Sequence, residues 1–249
     1  MRAVPRSLER GERTFVERQP IDLGRAAQQH AAYRRHLSDL GFAVHVMPAE
    51  PHLPDSAFVE DTAVLLDELV VVTLPGAPSR RPEVQSVADR LREWRTLRRI
   101  EEPGTLDGGD VMRVDRTLFV GRTRRTNAAG ITQLTNLVAE WGYEVVPVSI
   151  EGCLHLKSAC TWIGEGTVLV NRGWIEAGAL RGVSTIEVDA GEPGAANVLF
   201  LPQRGTVIAA AEYPVTAQRL RDSGRTVMTV AISEFLKAEA AVTCLSLIL

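Results

Sequence analysis

Short apolar runs along the chain recur in a fixed order: a hairpin, a helix, then a single strand. Residues 57–73 (AFVEDTAVLLDELVVVT) read as two strands around Asp67-Glu68. Residues 82–95 follow as a helix, with Val84, Val87, Ala88, Leu91 and Trp94 on one face. Residues 110–121 (DVMRVDRTLFVG) repeat the hairpin and turn at Asp115-Arg116. The next helix starts at about Thr126, a good N-cap, and is stopped by Gly142; a strand over 143–150 comes after it. Third and fourth hairpins open near Ser158 and Ala196, turning at Gly164-Glu165-Gly166 and Gln203-Arg204-Gly205. The fourth is followed by a helix over 216–223 and a strand over 225–232.

The remaining segments supply the parts of a fifth unit. These are a helix over 26–40, a strand over 42–47, and a terminal strand over 241–248 that would pair with the N-terminal segment. A repeat of roughly 40–50 residues marks a stacked or radial array. A last strand that joins the first unit favours a closed ring, which removes sheet edges. No Ser/Gly/Pro-rich linker divides the chain, so residues 1–249 are expected to form a single domain.

Composition adds limits. With 45% hydrophobic and 24% charged residues, the chain is of ordinary globular type, not disordered or fibrous. A net charge of −3 gives no footprint for nucleic acid or an anionic membrane, and no run approaches a spanning length. The opening stretch carries Arg2, Arg6, Arg10 and Arg13 without an apolar core, unlike a secretory leader. Cys153, Cys160 and Cys244 are an odd, sparse set, which argues against a disulfide framework and for a reducing cytoplasm.

The unusual polar residues gather at the start of each unit: Asp55, Glu60 and Asp61, then Asp107 and Asp110, His155, Asn197, and Cys244 in the closing strand. In a ring of repeats, equivalent positions converge on the axis. One thiol, one imidazole and several carboxylates would therefore share a pocket. A thiolate is a strong nucleophile, and an adjacent imidazolium both lowers its pKa and supplies a proton to a leaving group. Surplus carboxylates suit a cationic ligand, and a planar guanidinium matches them through forked hydrogen bonds.

The strings LPDSAFVEDTAV (53–64), PGAPSRR (75–81), TLDGGDV (105–111), RTN (125–127), LHLKS (154–158), AAN (195–197) and TCLSL (243–247) are similar to those of the dimethylarginine dimethylaminohydrolases. These enzymes belong to the guanidine-modifying superfamily, and the resemblance spans nearly the whole chain. It implies an α/β fold, the five-bladed ββαβ propeller (pentein). It also implies hydrolysis of Nω-methylated arginine to citrulline and methylamine or dimethylamine through a covalent thiouronium. On this resemblance Cys244 is the nucleophile, His155 the acid/base, and Asp107 the carboxylate that orients His155. Asp55, Glu60 and Asp61 face the guanidinium side, Arg80 and Arg125 grip the α-carboxylate, and Ala238 offers a backbone contact to the amino group. No cofactor or metal is implied, and the expected partner is a small molecule; a homodimer stays open.

The chain departs from the family pattern in two places. Glu239-Ala240-Ala241 stands where glycine usually precedes the nucleophile, and the N-terminal lid region, Ser7-Leu-Glu-Arg-Gly-Glu-Arg13, is charged where the family often offers an apolar residue. Other readings remain on the same residues: an arginine deiminase or amidinotransferase on this scaffold, or a non-catalytic arginine sensor. Asp110 is either a functional acid or a partner of backbone at its hairpin. No P-loop, HExxH, GxSxG, dinucleotide or zinc-deaminase pattern is present.

Overall fold

The computed structural model describes residues 1–176 and 178–249. Helix α1 (Leu23–Asp39), capped by the Asp22 carboxylate on the Arg25 amide, follows a 3-10 turn (Leu8–Arg10) and precedes the first sheet. The first sheet joins β1 (Ala63–Leu65) and β2 (Leu69–Val72) antiparallel; helix α2 (Val84–Leu91) then leads to β3 (Thr96–Arg99), parallel to β2. The same plan recurs in β4 (Val111–Val114), β5 (Thr117–Arg122), α3 (Ala128–Val138) and β6 (Glu144–Ser149). A short helix α4 (Leu156–Ala159) leads into β7 (Cys160–Trp162), β8 (Thr167–Val170) and β9 (Ser184–Glu187). The last sheet is β10 (Leu199–Leu201), β11 (Thr206–Ala210), helix α5 (Pro214–Asp222) and β12 (Thr226–Val230), followed by α6 (Ser233–Leu236).

Four three-stranded sheets result, each with its second strand in the middle. Strands β2, β8 and β11 are buried at every position, which is why they read as unbroken apolar runs. Alternate side chains of β2 serve two cores. Leu69 and Val71 pack with Val111, Leu118 and α3 of the second sheet. Val70 and Val72 pack with α2, Met47 and Leu247. Further clusters join the second sheet to the third, the third to the fourth, and the fourth to α1 and the C-terminal segment. The packing thus passes from each sheet to the next and returns to the first.

All four hairpins turn where the sequence places them. Several expected elements differ. Helix α3 is capped by Asn127, whose side chain accepts from the Gly130 amide, because the Thr126 hydroxyl is given to Asp110 instead. Helix α2 ends at Leu91, leaving Trp94 on the surface. The strand expected over 42–47 is reduced to a single parallel bridge between Arg2 and Met47. The strand expected over 241–248 is a 3-10 turn (Thr243–Leu245) followed by extended chain outside any sheet. Its turn closes on its own backbone, and the Thr243 amide goes to the Asn197 side chain rather than to a ladder. The three cysteines are unpaired, and no described helix is long and apolar enough to cross a membrane.

Candidate active site

Two 3-10 turns pressed together form the floor of the site: Val59–Thr62 and Gly108–Asp110. The glycines of the second turn permit this approach. A Cβ on Gly108 would lie 2.0 Å from the Glu60 carbonyl oxygen, and one on Gly109 would lie 2.7 Å from both Asp61 Oδ1 and His155 Nδ1. The Gly109 amide donates to Asp61 Oδ1 at 3.0 Å. The two residues flanking the glycine pair then point to different tasks.

Asp107 is fully buried. Its Oδ1 accepts from the Gly76 amide at 2.9 Å, and its Oδ2 lies 3.0 Å from His155 Nε2. His155 Nδ1 lies 3.8 Å from Asp61 Oδ1 on the other side of the ring. Asp110 is taken up by structure: its carboxylate accepts from the Leu156 amide and from the hydroxyls of Thr123 and Thr126. The backbone it holds is that of Leu156 at the start of α4, not that of its own hairpin as one sequence reading expected. Burial raises the Asp110 carboxyl to about 6.

Burial alone would drive the His155 imidazolium to lose its proton. Asp61, Asp110 and the Asp107 hydrogen bond outweigh that and raise its pKa to about 9. Asp61 shows the converse balance: burial raises its pKa, but His155 and Arg80 bring it down to about 2. Burial together with Glu60 and Asp61 pushes the Cys244 thiol well up. At neutral pH, the resting site holds a charged imidazole beside a neutral thiol.

Cys244 sits in the Thr243–Leu245 turn, where the Ala241 amide donates to its sulfur at 3.5 Å. Side chains from distant segments hold this turn. Asn197 accepts from the Thr243 amide and donates to its hydroxyl, and that hydroxyl donates to Glu60 Oε2 at 2.6 Å. Lys157 donates to the other Glu60 oxygen, and Ser246 meets the buried Tyr33 hydroxyl at 2.8 Å.

Cys244 and His155 share a cavity of about 20 Å³ with Asp55, Asp61, Arg80, Arg125 and Ala238, space for about one water. Asp107 lies behind His155. Glu60 is outside the cavity, its carboxylate committed to Lys157 and Thr243. Arg80 is ion-paired with Asp61 at 2.5 Å and Glu83 at 2.9 Å. Arg125 is buried, 3.7 Å from Asp107, with its Nη1 lacking a hydrogen-bond partner among the described residues. Glu12, Phe58, Leu154, Glu239 and Ala240 complete the walls. Sequence reasoning gave these five no role: Phe58 and Leu154 lie inside the family strings without a task of their own, and Glu12, Glu239 and Ala240 lie in the two segments marked as departures. It also gave no task to Asn197 and Thr243, which hold the turn from a distance.

Asp61, Asp107 and His155 could offer a metal three ligand atoms within 4.8 Å of one another. The guanidiniums of Arg80 and Arg125 lie against the same two carboxylates, so a divalent cation would have to displace them.

A family model described as N,N dimethylarginine dimethylhydrolase, eukaryotic, matches residues 12–187. The chain is 40% identical to an N(G),N(G)-dimethylarginine dimethylaminohydrolase of Streptomyces coelicolor over 98% of its own length and 93% of the relative. It is 32% identical to the Pseudomonas aeruginosa protein of the same name over 91% and 89%. A solved structure of a Pseudomonas aeruginosa dimethylarginine dimethylaminohydrolase in complex with citrulline superposes with a TM-score of 0.93 at 30% identity, covering 98% of this chain and 95% of that one.

Proposed function

Because the chain belongs to the dimethylarginine dimethylaminohydrolase family, we propose that it hydrolyses Nω-methylated L-arginine to L-citrulline and methylamine or dimethylamine. It is a hydrolase of carbon–nitrogen bonds. The observation that carries this reading is the meeting of Cys244, His155 and Asp61 at one small cavity, with Asp107 directly behind the imidazole.

In the proposed mechanism, the substrate guanidinium enters against Asp61 and adds positive charge beside Cys244. The thiol, held up by burial and by Glu60 and Asp61, then gives its proton to solvent more readily. The thiolate adds to the guanidine carbon and a C–S bond forms. The bond to the methylated nitrogen breaks as His155 gives that nitrogen its proton, leaving a thiouronium on Cys244. Water adds to the same carbon as His155 takes one of its protons, and the C–S bond breaks with the second proton passing to the sulfur, releasing citrulline and restoring the thiol. Asp107 holds the imidazole in register throughout. The unpartnered Arg125 Nη1 suits the substrate α-carboxylate. Arg80 acts on that group only in part, its fork being committed to Asp61 and Glu83. Asp55 is assigned with Asp61 to the guanidinium side, and the Ala238 backbone to the amino end. Glu60 contributes by fixing Thr243, the neighbour of the nucleophile.

The scaffold reading extends the four observed sheets to five modules in one closed domain over residues 1–249. Support comes from a second cavity of about 200 Å³, which is lined in turn by residues 63–65, 111–113, 161–162, 198–200 and 246–248. Five successive segments around one space fit a ring whose fifth module is built from both chain ends. The unpaired thiols suit a reducing compartment.

Citrulline release from asymmetric dimethylarginine, monomethylarginine and arginine, measured side by side, tests the reaction. Turnover of the methylated substrates with release of methylamines, abolished in Cys244→Ser, is the expected result. Ammonia from arginine alone would move the chain to a deiminase, and normal turnover by Cys244→Ser would refute the mechanism.

A further inference from the structure

The cavity beside Cys244 has room for about one water, so no amino acid reaches it without movement of a wall. One wall is the strap formed by residues 11–15. At its first residue the strap passes so close to Asp55 that a Cβ on Gly11 would lie 2.2 Å from Asp55 Oδ1. The Glu12 amide donates to Asp55 Oδ2 at 2.9 Å, and Ser79 donates to the Glu12 carboxylate. Arg13, its side chain buried, donates through Nε to the Lys237 carbonyl at 2.9 Å. At the far end Glu239 accepts from two consecutive strap amides, Thr14 at 2.6 Å and Phe15 at 2.8 Å.

Glu239 holds a left-handed backbone, φ 57°, where glycine would sit without strain. A glycine, however, could not bond the strap. The two places at which the sequence departs from its family, the loop before the nucleophile and the charged N-terminal segment, thus touch each other. The clasp spans two chain regions more than 200 positions apart, and its loop end lies two residues before Ala241, whose amide meets the Cys244 sulfur.

We propose that Glu239 is a positioning residue that clasps the N-terminal strap over the cavity and thereby sets access to Cys244. Substrate enters when the two Glu239 bonds and the Glu12–Asp55 bond release together, and the clasp reforms over bound ligand. The inference rests on Cys244 as the reactive group of the proposed function, but it is read without turnover. Labelling of Cys244 by chloroacetamidine reports access directly, through displacement of chloride by the thiolate with formation of one S–C bond.

In Glu239→Ala and Glu239→Gly the labelling rate should rise roughly ten- to a hundredfold, as the open population grows. The Thr14 and Phe15 amides should lose their hydrogen-exchange protection, and Glu239→Gln, which keeps an acceptor oxygen, should fall between. If Glu239 were only a strained loop residue, Glu239→Gly would raise Tm and leave both readouts unchanged, which overturns the proposal. Unchanged labelling and exchange in Glu239→Ala would overturn it equally. Failure of the methylarginine assay with altered labelling would count against the reaction and leave the clasp standing.

Discussion

His155 is the residue at which the charges of the site are balanced, because Asp61 and Asp107 face its two ring nitrogens and Asp110 lies nearby. Its pKa, raised from 6.5 to about 9, ties stability to protonation. A pKa higher in the folded state gives stability that is complete below about 6.5 and is lost as pH rises through about 9. Replacing Asp61 by Asn removes the leading anion, so the imidazole titration followed by NMR should move down from about 9 toward 6.5. A titration that stays put would show that Asp61 is not the dominant partner. At this scale the sequence was only partly readable. The family strings point to Cys244, His155 and Asp107, and their meeting is borne by the fold. Glu60 was read as facing the substrate, yet its carboxylate goes to Thr243, 183 positions away. No local pattern encodes that bond.

Among elements, the hairpins were legible because turn residues act locally: Asp115 and Glu165 adopt positive φ at the tips where polar pairs interrupt apolar runs. Helix starts were less so. Thr126 and Asn127 are both good caps in isolation, and only the position of Asp110 decides between them. Asn127 also accepts from the Thr105 amide and donates to the Pro103 carbonyl, so it ties α3 to the chain entering the site. Asn127→Ala should lower unfolding stability by about 1–2 kcal/mol, read from denaturant midpoints, with citrulline formation kept in the folded fraction. A loss below about 0.3 kcal/mol would show the cap to be dispensable. Strand β9 escaped the sequence reading because it is a short edge strand, exposed or half-buried along its length, with no helix described between it and β8. The 3-10 turns of the floor were equally silent, since their conformation depends on contact between two segments 48 positions apart.

For the whole molecule, apolar periodicity announced a repeating ring, and the cores pass from sheet to sheet as it requires. The terminal strands were overread. Residues 43–46 and 247–249 are apolar enough for a sheet, yet between them lies an apolar groove of about 260 Å³ instead of a ladder. Among the described residues, the backbone amides of Val44, Leu247 and Ile248 make no bond to other backbone, so they should exchange with solvent far faster than those of β2, β8 and β11. Protection equal to that of the central strands would show a fifth sheet in solution. The nucleophile turn beside this groove is fastened by individual side chains, so its release needs no sheet to melt.

The elevated thiol pKa of Cys244 carries a consequence for chemical selectivity. Peroxides and uncharged electrophiles react with thiolates, and they bring no charge to offset Glu60 and Asp61. Such reagents meet a sulfur that keeps its proton. A planar cation adds positive charge beside the sulfur and so favours the thiolate it is about to meet. In the proposed mechanism, the field that raises the Cys244 thiol therefore sorts reagents by charge before shape is tested.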